Sequence, residues 1–328
     1  MKYGKNIKIK NDMDILMIGH SRSGKTSYMA ALYKAYGENS GGYGITTTTS
    51  ERERLSVLAN NIAKGYYPKG TDIASEYEFW LKIDNKKIIP FNWYDYRGGV
   101  LSENSKNSAE ARMLIQKIED ADALIVFLDG EKIKSETNED LEDDYDTILW
   151  AIQKAISAKN LNNCVFPISF VVTKGDYFGF GDPIMIQNGQ KYYNPDFKGL
   201  DYFIPFFDTI GKNKKIQGLL CKCTIFNSCI YNVFPPLITS LYFGMNSYIN
   251  KRIDIHNQEV ERYNNYNPNV VDDVWTWLFG GDSQRELAEK SLKKIKKEKE
   301  NFTFLQSKRD DMWNIIEKMR NDNQIYLF

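Results

Sequence analysis

The chain is poor in the residues that build disulfide frameworks and metal centres. Its 328 residues include four cysteines and two histidines. These cysteines do not form the spacing pattern of a disulfide framework, and a metal site built on them would need more histidines. Cys221 and Cys223 alternate along an apparent strand and Cys229 follows it. We therefore interpret these thiols as core packing.

The chain also lacks an excess of one charge and a long apolar run. Lysine plus arginine equals aspartate plus glutamate, at 43 each, so no electrostatic argument indicates nucleic acid or an acidic membrane as a partner. No apolar run approaches ~20 residues and no N-terminal signal is recognisable, so we expect a soluble, cytoplasmic protein. With 42% hydrophobic residues, the chain can bury one sizeable core plus an appendage.

Residues 19–26 read G-H-S-R-S-G-K-T and match the phosphate-binding pattern G-x-x-x-x-G-K-[ST] in full. The apolar run at 15–18 predicts a buried strand before the pattern, and the amphipathic stretch at 27–36 predicts a helix after it. This arrangement aims backbone N–H groups and the positive end of the helix dipole at one point. A chance turn rich in glycine and serine would lack these flanks, so the pattern predicts a nucleoside-triphosphate site.

Individual residues of this loop have separate expected roles. Gly19 and Gly24 allow a tight loop and close approach to phosphate, while Lys25 can reach the outer phosphates. The Thr26 hydroxyl can ligate Mg²⁺. The predicted nucleotide-binding residues of the loop are Gly19, His20, Ser21, Arg22, Ser23, Gly24, Lys25, Thr26 and Ser27.

A second motif, D-x-x-G, is formed by Asp95 and Gly98 after the apolar run at 88–91. A carboxylate at the end of a strand beside the P-loop strand can hold the Mg²⁺ shell, usually through water. Gly98 can lend its backbone N–H to the γ-phosphate. D-x-x-G alone is common in turns, but its place after a P-loop predicts Asp95 as a metal-site residue and Gly98 as a catalytic one.

A third motif of the form [NT]-K-x-D, comprising Thr173, Lys174 and Asp176, directly follows the strand-like residues 168–172. The aspartate can accept paired hydrogen bonds from the N1–H and the exocyclic amine of guanine, whereas adenine has an acceptor at N1 and no 2-amino group. The lysine stem can cover the base. An ordinary strand-ending turn has a similar composition, but the order of the three motifs favours guanine recognition.

With these motifs in this order, the chain resembles P-loop GTPases of the TRAFAC class over residues 12–232. It looks most like bacterial members of the double-GTPase type, which are associated with conflict and antiphage defence systems. The resemblance implies GTP or GDP and Mg²⁺ as ligands, and a further guanine-contacting loop after the last strand. Residues 224–226 are predicted as that strand and 227–229 as the loop, a poor match to the usual S-A-K, and Ser228 is carried over as the contact.

The expected fold is α/β, a Ras-like P-loop architecture with a mostly parallel sheet, one antiparallel edge hairpin and helices on both faces. We predict a GTPase domain over residues 1–232 with an extended switch I region, and a C-terminal long α-helical hairpin over 233–328. The predicted strands are 75–83, 87–94, 123–127, 165–172 and 223–226, and the predicted helices between them are 52–63, 108–118 and 143–158.

The connection between Lys25 and the hairpin is longer than a bare switch loop. A threonine directly before the hairpin is expected to close over Mg²⁺ and the γ-phosphate when GTP is bound. Thr71 has that position and is predicted as both a metal ligand and a catalytic residue. We prefer it to the threonine run at 46–49, which we interpret as a mobile loop.

The C-terminal third has a helical pattern from 236 to about 263, and a long helix is predicted over 283–320. Residues 264–282 join these arms and carry Trp275 and Trp277 beside other large apolar residues. Exposing both tryptophans to water would be costly. Two readings stay open: the tryptophans cap the hairpin or dock on the core, or they form a tip that binds a protein partner or touches a membrane.

The three motifs leave open which residue assists GTP hydrolysis. Many GTPases carry a water-orienting glutamine directly after D-x-x-G, where this chain has Gly99. Arg22 lies inside the P-loop, where the sequence resembles guanylate-binding proteins and atlastins with an internal arginine finger. Such an arginine can accelerate phosphoryl transfer ~10³–10⁵-fold. The alternatives are that Arg22 pairs with surface acids or faces solvent, and Arg97 is the second choice.

The residues are compatible with two hypotheses for the activity. The first is a GTP-hydrolysing switch that turns over slowly without an activator or dimerisation, with Arg22, Thr71 and Gly98 as catalytic residues. The second is a GTP-gated binding or scaffold module with little hydrolysis. A self-assembling GTPase that resembles dynamins or guanylate-binding proteins, acting as a homodimer, is a further variant. In each case the helical C-terminal region is expected to engage a protein partner.

Overall fold

The computed structural model describes residues 12–37, 42–68, 75–95, 100, 109–135, 138–159, 165–179, 181–187, 190–226, 228–245, 249, 257 and 284–328. The chain divides into two compact units. One contains Asp12–Met245 together with Met312–Phe328, and the other contains Met1–Asn11 with Asn246–Asp311. The predicted boundary after residue 232 stays a prediction, although residues 233–245 belong to the first unit.

An eight-stranded sheet with the order β12-β9-β6-β5-β1-β4-β3-β2 forms the centre of the first unit. Its middle is parallel, since β1 pairs with β4 and β5, β6 pairs with β5, and β9 pairs with β6. The strands are β1 Met13–Ile18, β2 Tyr43–Thr47, β3 Ser75–Ile83, β4 Lys86–Asp95, β5 Ala123–Asp129, β6 Phe166–Thr173, β9 Ile216–Lys222 and β12 Tyr326–Leu327. Two small hairpins lie outside this sheet, β7 Ile184–Gln187 with β8 Gln190–Tyr193, and β10 Thr224–Phe226 with β11 Cys229–Tyr231.

Helices connect the parallel strands, as expected for a doubly wound sheet. They are α1 Lys25–Tyr36, α2 Thr49–Ala63, α3 Ala109–Asp120, α4 Gly130–Ser135, α5 Asn138–Ser157, α6 Ile204–Lys212, α7 at 235–245 and α8 Gln284–Asn321. Two 3₁₀ turns, Gly175–Phe178 and Pro195–Leu200, lie between β6 and α6. No helix in the described ranges is long and apolar enough to cross a membrane.

The core lies on both faces of the sheet because successive strand residues alternate between them. On one face, Leu16 and Val126 of the sheet pack in a cluster with Leu114 of α3 and Ile148 of α5. On the other face, α1 covers the sheet, and its Tyr28 ring lies 5.0 Å from the ring of Phe127. Phe127 also lies next to Gly19 in the loop between β1 and α1.

The predicted Ras-like fold with its antiparallel edge is confirmed, and the sheet extends further than expected at both edges. The hairpin of β3 and β4 is present, but β2 pairs antiparallel with β3 beyond it. Interpretation of residues 46–49 as a mobile loop was therefore wrong. Thr46 and Thr47 belong to β2, and the Thr48 side chain accepts a hydrogen bond from the backbone of Glu51 at the start of α2.

The prediction of 223–226 as the last strand of the sheet was also wrong. The last parallel strand is β9, and residues 224–226 form β10, which pairs with β11 in a separate hairpin. At the opposite end of the chain, β12 adds an antiparallel pair to β9.

The long C-terminal helix is present as α8, and its end belongs to the first unit. There, Met312 and Ile316 are buried, and the Trp313 ring lies 5.4 Å from the ring of Tyr242 in α7. Within the second unit, residues 284–311 are helical. Most of the predicted first arm, together with Trp275 and Trp277, lies outside the described residues.

Candidate functional site

The loop between β1 and α1 has the tight backbone that its sequence predicts. Gly19 lies so close to β5 that a Cβ atom would be 2.7 Å from the carbonyl oxygen of Phe127. Arg22 and Gly24 both have positive φ, at 66° and 89°. The first backbone N–H groups of α1 have no partner within the helix, so they are available to an anion at this end.

Lys25 is buried at the first position of α1 and turns its ammonium group back onto the loop. Its Nζ donates to the carbonyl oxygens of Gly19 at 2.7 Å and His20 at 2.8 Å. Burial lowers the pKa of Lys25 to about 8, and the charge of nearby Asp95 opposes part of that shift. The loop therefore concentrates a cation at the helix N-terminus before any phosphate is bound.

Thr26 and Asp95 join the helix to the end of β4. The Thr26 hydroxyl donates to Oδ2 of Asp95 at 2.7 Å. Asp95 is buried and lies opposite Met17 of β1, so the D-x-x-G strand is the immediate neighbour of the P-loop strand. Hydroxyl and carboxylate oxygens are the ligands that Mg²⁺ prefers, and this pair fits such an ion together with nucleotide phosphates. Among the described residues, no group of three or more His, Cys, Asp or Glu side chains is placed to hold a metal ion.

Thr173 links the third motif to the P-loop. Its hydroxyl lies 2.8 Å from the carbonyl oxygen of Ser23 and 3.1 Å from that of Leu128, within hydrogen-bond distance of both. Its methyl group also packs against Gly24, where a Cβ would lie 3.3 Å away. Thr173, the first residue of [NT]-K-x-D and the last of β6, thus connects Ser23 of the P-loop with Leu128 of β5.

Lys174 adopts a left-handed backbone conformation and is held by two acids. Its Nζ donates to Oδ2 of Asp129 at 2.7 Å and to Oε2 of Glu131 at 2.8 Å. Burial lowers the pKa of Lys174, but the hydrogen bonds to these carboxylates outweigh it and the net shift is upward. The charged end of Lys174 is therefore fixed at the ends of β5 and β6, which leaves its stem as the part that lines the site.

These elements surround a cavity of about 640 Å³, a size typical of ligand sites. Its lining residues are Ser21, Arg22, Ser23, Gly24, Lys25, Thr26, Ser27, Tyr67, Pro68, Thr173, Lys174, Cys223 and Ile225. The Arg22 side chain is exposed and makes no hydrogen bond or ion pair in the described part of the chain. The cavity thus runs from the predicted phosphate loop to the start of the third motif.

Two predicted guanine contacts, Asp176 and Ser228, are not among the residues that line this cavity. Asp176 is exposed in the 3₁₀ turn that follows Lys174. Ser228 is exposed in the turn between β10 and β11, and the lining contains Cys223 and Ile225 instead. Tyr67 closes the cavity from another side, since its hydroxyl donates to the carbonyl oxygen of Ile225 at 3.3 Å.

Sequence reasoning missed Tyr67, Pro68, Cys223 and Ile225. The aromatic-proline sequence before Thr71 was a possible signal for the first two, whereas nothing local distinguishes Cys223 from a core thiol. His20, Ser21 and Ser27 lie in or beside the loop as expected, and Ser23 is buried beneath it. Thr71, Arg97, Gly98 and Gly99 lie outside the described residues, so their roles stay predictions.

Part of the chain that lines this cavity is similar to a known protein family. The Double-GTPase 1 family model matches residues 16–154, from β1 through most of α5. The match covers less than half of the chain, and over these residues the chain is similar to the Double-GTPase 1 family. The matched residues include the P-loop and Asp95, while Thr173 and Asp176 lie beyond the match. No curated protein matches the chain significantly.

Solved structures similar to this chain include several GTPases of low sequence identity. The Ski7 GTPase-like domain of S. cerevisiae bound to GTP is 13% identical, with a TM-score of 0.41 over 64% of this chain and 42% of that one. The signal recognition particle receptor SRb-GTP/SRX complex of Chaetomium thermophilum is 13% identical, with a TM-score of 0.36 over 66% of this chain and 92% of that one. Methanosarcina barkeri Roco2 RocCORdC bound to GDP is 16% identical, with a TM-score of 0.30 over 66% and 44%. The alignments to Ski7 and Roco2 span less than half of those chains, and the fold assignment rests on the strand order described above.

Proposed function

We propose that this chain is a guanine-nucleotide switch, which binds GTP or GDP with Mg²⁺ in the cavity beside α1 and hydrolyses GTP slowly. The observation that carries the proposal is the bridge from Thr173 to Ser23. It ties the [NT]-K-x-D turn directly to the P-loop, so that one cavity connects a phosphate site with a base site. When bound, Mg²⁺ would be held by Thr26 and Asp95, with Thr71 as a further proposed ligand, and would neutralise phosphate charge.

The phosphate end of the site is assembled for electrostatic stabilisation. Lys25 supplies a buried ammonium group and α1 supplies backbone N–H donors. Both act on the bound nucleotide by position and charge, and neither requires a covalent step. Gly98 is proposed as a further backbone donor to the γ-phosphate.

For hydrolysis we propose Arg22 as the residue that stabilises the developing charge of the transition state. Its support is that the guanidinium lines the cavity, is exposed and has no competing ion pair within the described residues. An arginine so placed is free to turn toward phosphate. The alternative is a GTP-gated binding module with little hydrolysis. It is supported by the glycine at position 99, which has no side chain to orient the attacking water.

For base recognition we propose that Asp176 pairs with guanine while the stem of Lys174 covers the ring. The residues Cys223 and Ile225 form the wall of the cavity on that side, so we include residues 223–225 in the base site in addition to Ser228. The backbone of this wall is fixed to the motif, because the Gly175 N–H donates to the carbonyl oxygen of Cys223 at 2.9 Å.

We further propose that the C-terminal helices pass the nucleotide state to a protein partner. The end of α8 packs on α7 in the GTPase unit through Trp313, and α8 continues from residues assigned to the other unit. The association with defence systems, the homodimer and the cytoplasmic location remain parts of this proposal that rest on the resemblance and the composition.

The proposed base specificity is tested by competition between nucleotides. Unlabelled GDP, ADP and XDP are titrated against fluorescent GDP bound to the wild type and to Asp176→Asn. We expect the wild type to prefer GDP to ADP by more than about 100-fold, and the variant to shift toward XDP, because an amide offers one acceptor and one donor. Equal affinity of the wild type for ADP and GDP would remove the guanine assignment.

A further inference from the structure

A buried lysine stands at the end of the last parallel strand, outside the lining of the nucleotide cavity. Lys222 closes β9, and its side chain is 4% exposed. Its Nζ donates to the carbonyl oxygen of Gly179 at 2.7 Å and to that of Gly181 at 2.6 Å. The nearest carboxylate oxygen, on Asp182, is 3.9 Å away. Lys222 therefore holds three neighbouring points of one loop.

That loop is the continuation of the turn that carries Asp176. The 3₁₀ turn Gly175–Phe178 leads directly into Gly179, whose positive φ of 56° ends the turn. At the start of the same turn, the Lys222 stem lies against Gly175, where a Cβ would be 2.5 Å from Cγ of Lys222. The lysine thus contacts the turn with its stem before Asp176 and with its ammonium group after it.

Asp176 itself has little to fix its direction. Its side chain is exposed, and within the described residues the carboxylate accepts no hydrogen bond. Where the carboxylate points is consequently decided by the backbone of the turn. A segment with glycines at 175, 179 and 181 has low intrinsic rigidity, so external contacts must supply it.

The buried charge of Lys222 is compensated by contacts with the loop that follows Asp176. Removing an ammonium group from water is unfavourable unless carbonyls or acids replace the water, and burial lowers the pKa of Lys222 accordingly. The neighbouring positions in β9, Leu220 and Cys221, are buried and carry no charge. An apolar residue at this position could donate to neither glycine carbonyl, whereas the lysine ammonium group donates to both.

We propose that Lys222 is a positioning residue for guanine recognition, which fixes the turn around Asp176 by capping the carbonyls of Gly179 and Gly181. This inference rests on the proposed function, in which Asp176 pairs with guanine. Lys222 touches neither base nor phosphate in this account. It acts on affinity through Asp176 and leaves the phosphate site alone.

The protein offers a matched control on the same turn. Lys134 of α4 also donates to a carbonyl of this segment, that of Tyr177, but it is exposed to solvent. Water replaces an exposed contact of this kind at little cost. Both substitutions therefore remove an ammonium group that donates to this segment. Lys222→Met removes a buried one, and Lys134→Met removes a solvent-exposed one.

The experiment measures the affinities of the full chain for GDP and ADP in the wild type, Lys222→Met, Lys134→Met, Asp176→Asn and the Lys222→Met/Asp176→Asn double variant. The ratio of the two affinities reports base recognition, and ADP affinity alone reports the phosphate site. We expect Lys222→Met to lower the ratio by about tenfold with ADP affinity unchanged within about threefold, and Lys134→Met to match the wild type. In the Asp176→Asn background, Lys222→Met should cause no further loss, because both changes remove the same interaction.

Several results would overturn the proposal. A wild-type ratio in Lys222→Met contradicts it, as does an equal loss of GDP and ADP affinity, which would mark a merely structural lysine. An additive loss in the double variant also contradicts it. Unchanged selectivity in Asp176→Asn would instead refute the guanine assignment on which the proposal rests. If Lys222→Met does not fold, Lys222→Gln keeps one donor in place and is expected to lower the ratio by at least about threefold.

Discussion

Thr26 and Asp95 are joined by a 2.7 Å hydrogen bond from the threonine hydroxyl to Oδ2 of the carboxylate. This contact connects the first turn of α1 with the last residue of β4, and the charge of Asp95 raises the pKa of the neighbouring Lys25 against the effect of burial. A hydroxyl oxygen, a carboxylate and a buried ammonium group therefore lie at one helix N-terminus. That combination suits a metal-bound triphosphate better than it suits either ion alone.

Replacement of Asp95 by asparagine should weaken nucleotide binding only when Mg²⁺ is present. An amide can still accept the hydrogen bond from Thr26, but it does not carry the charge that holds the hydrated ion. We expect GTP affinity with Mg²⁺ to fall by at least about tenfold, and affinity in EDTA to change by less than about threefold. Fluorescent-nucleotide titrations in both conditions make the comparison, with Asp84→Asn in the distant β3–β4 turn as the control. A similar loss in EDTA would show that Asp95 does not act through the metal.

Nucleotide affinity should decrease as the pH rises above about 8. The pKa of Lys25 is about 8 without ligand, and bound phosphate must raise it because the anion favours the charged ammonium. Nucleotide affinity is therefore constant at pH values where Lys25 is already protonated in the free protein. It falls at higher pH, where Lys25 must take up a proton before phosphate can bind tightly. Between about pH 7 and pH 8.8, where the guanine base is still mostly protonated at N1, we expect affinity to fall by about sevenfold.

Calorimetry in two buffers of different ionisation enthalpy checks the same linkage directly. GTP binding near pH 8.5 should take up about three-quarters of a proton per site through Lys25, while near pH 6.5 Lys25 should take up almost none. Absence of proton uptake at the higher pH would mean that Lys25 does not change its protonation when phosphate binds.

Arg22→Ala should separate binding from hydrolysis. If the guanidinium acts mainly in the transition state, the variant should keep GTP affinity within a few-fold and lose at least ~10² in turnover. Single-turnover hydrolysis of radiolabelled GTP measures this, with Arg54→Ala, on α2 over the ring of Tyr77, as the arginine control. If a second copy is needed to hold Arg22 inward, wild-type activity per molecule should also rise with protein concentration. Turnover at the wild-type rate in Arg22→Ala would exclude the arginine finger.

The central sheet and the phosphate site are predictable from the sequence because their signals are local. The P-loop pattern, the strand before it and the helix after it occupy consecutive residues, and the structure places Asp95 beside β1 as its strand-end position implies. Thr173 is only partly predictable. Its motif indicates a base site, whereas its hydroxyl contacts Ser23, 150 residues away along the chain.

The contribution of Cys223 and Ile225 to the cavity lining could not be predicted, because the sequence of β9 has a glycine in its interior and does not read as a strand. Gly218 weakens a strand pattern, yet it is required there, since a Cβ would lie 2.2 Å from the ring of Phe328. The sequence continues without a turn signal from β9 into β10, and the boundary arises from tertiary hydrogen bonds. Cys223 still donates to the carbonyl oxygen of Val172 in β6, but its own carbonyl accepts from Gly175 in the turn after β6. The Cys223 residue also lines the cavity.

The central claim, that this chain binds guanine nucleotide at its P-loop, is tested most directly by titrating fluorescent GDP into folded wild-type and Lys25→Ala protein. Lys25 supplies the buried cation at the phosphate site, so its loss should weaken binding by at least about 100-fold, while Lys34→Ala in the last turn of the same helix should bind like the wild type. Saturable wild-type binding that GDP displaces and ADP does not, and that Lys25→Ala loses, is the predicted result. Near-normal affinity in a folded Lys25→Ala variant would contradict the account.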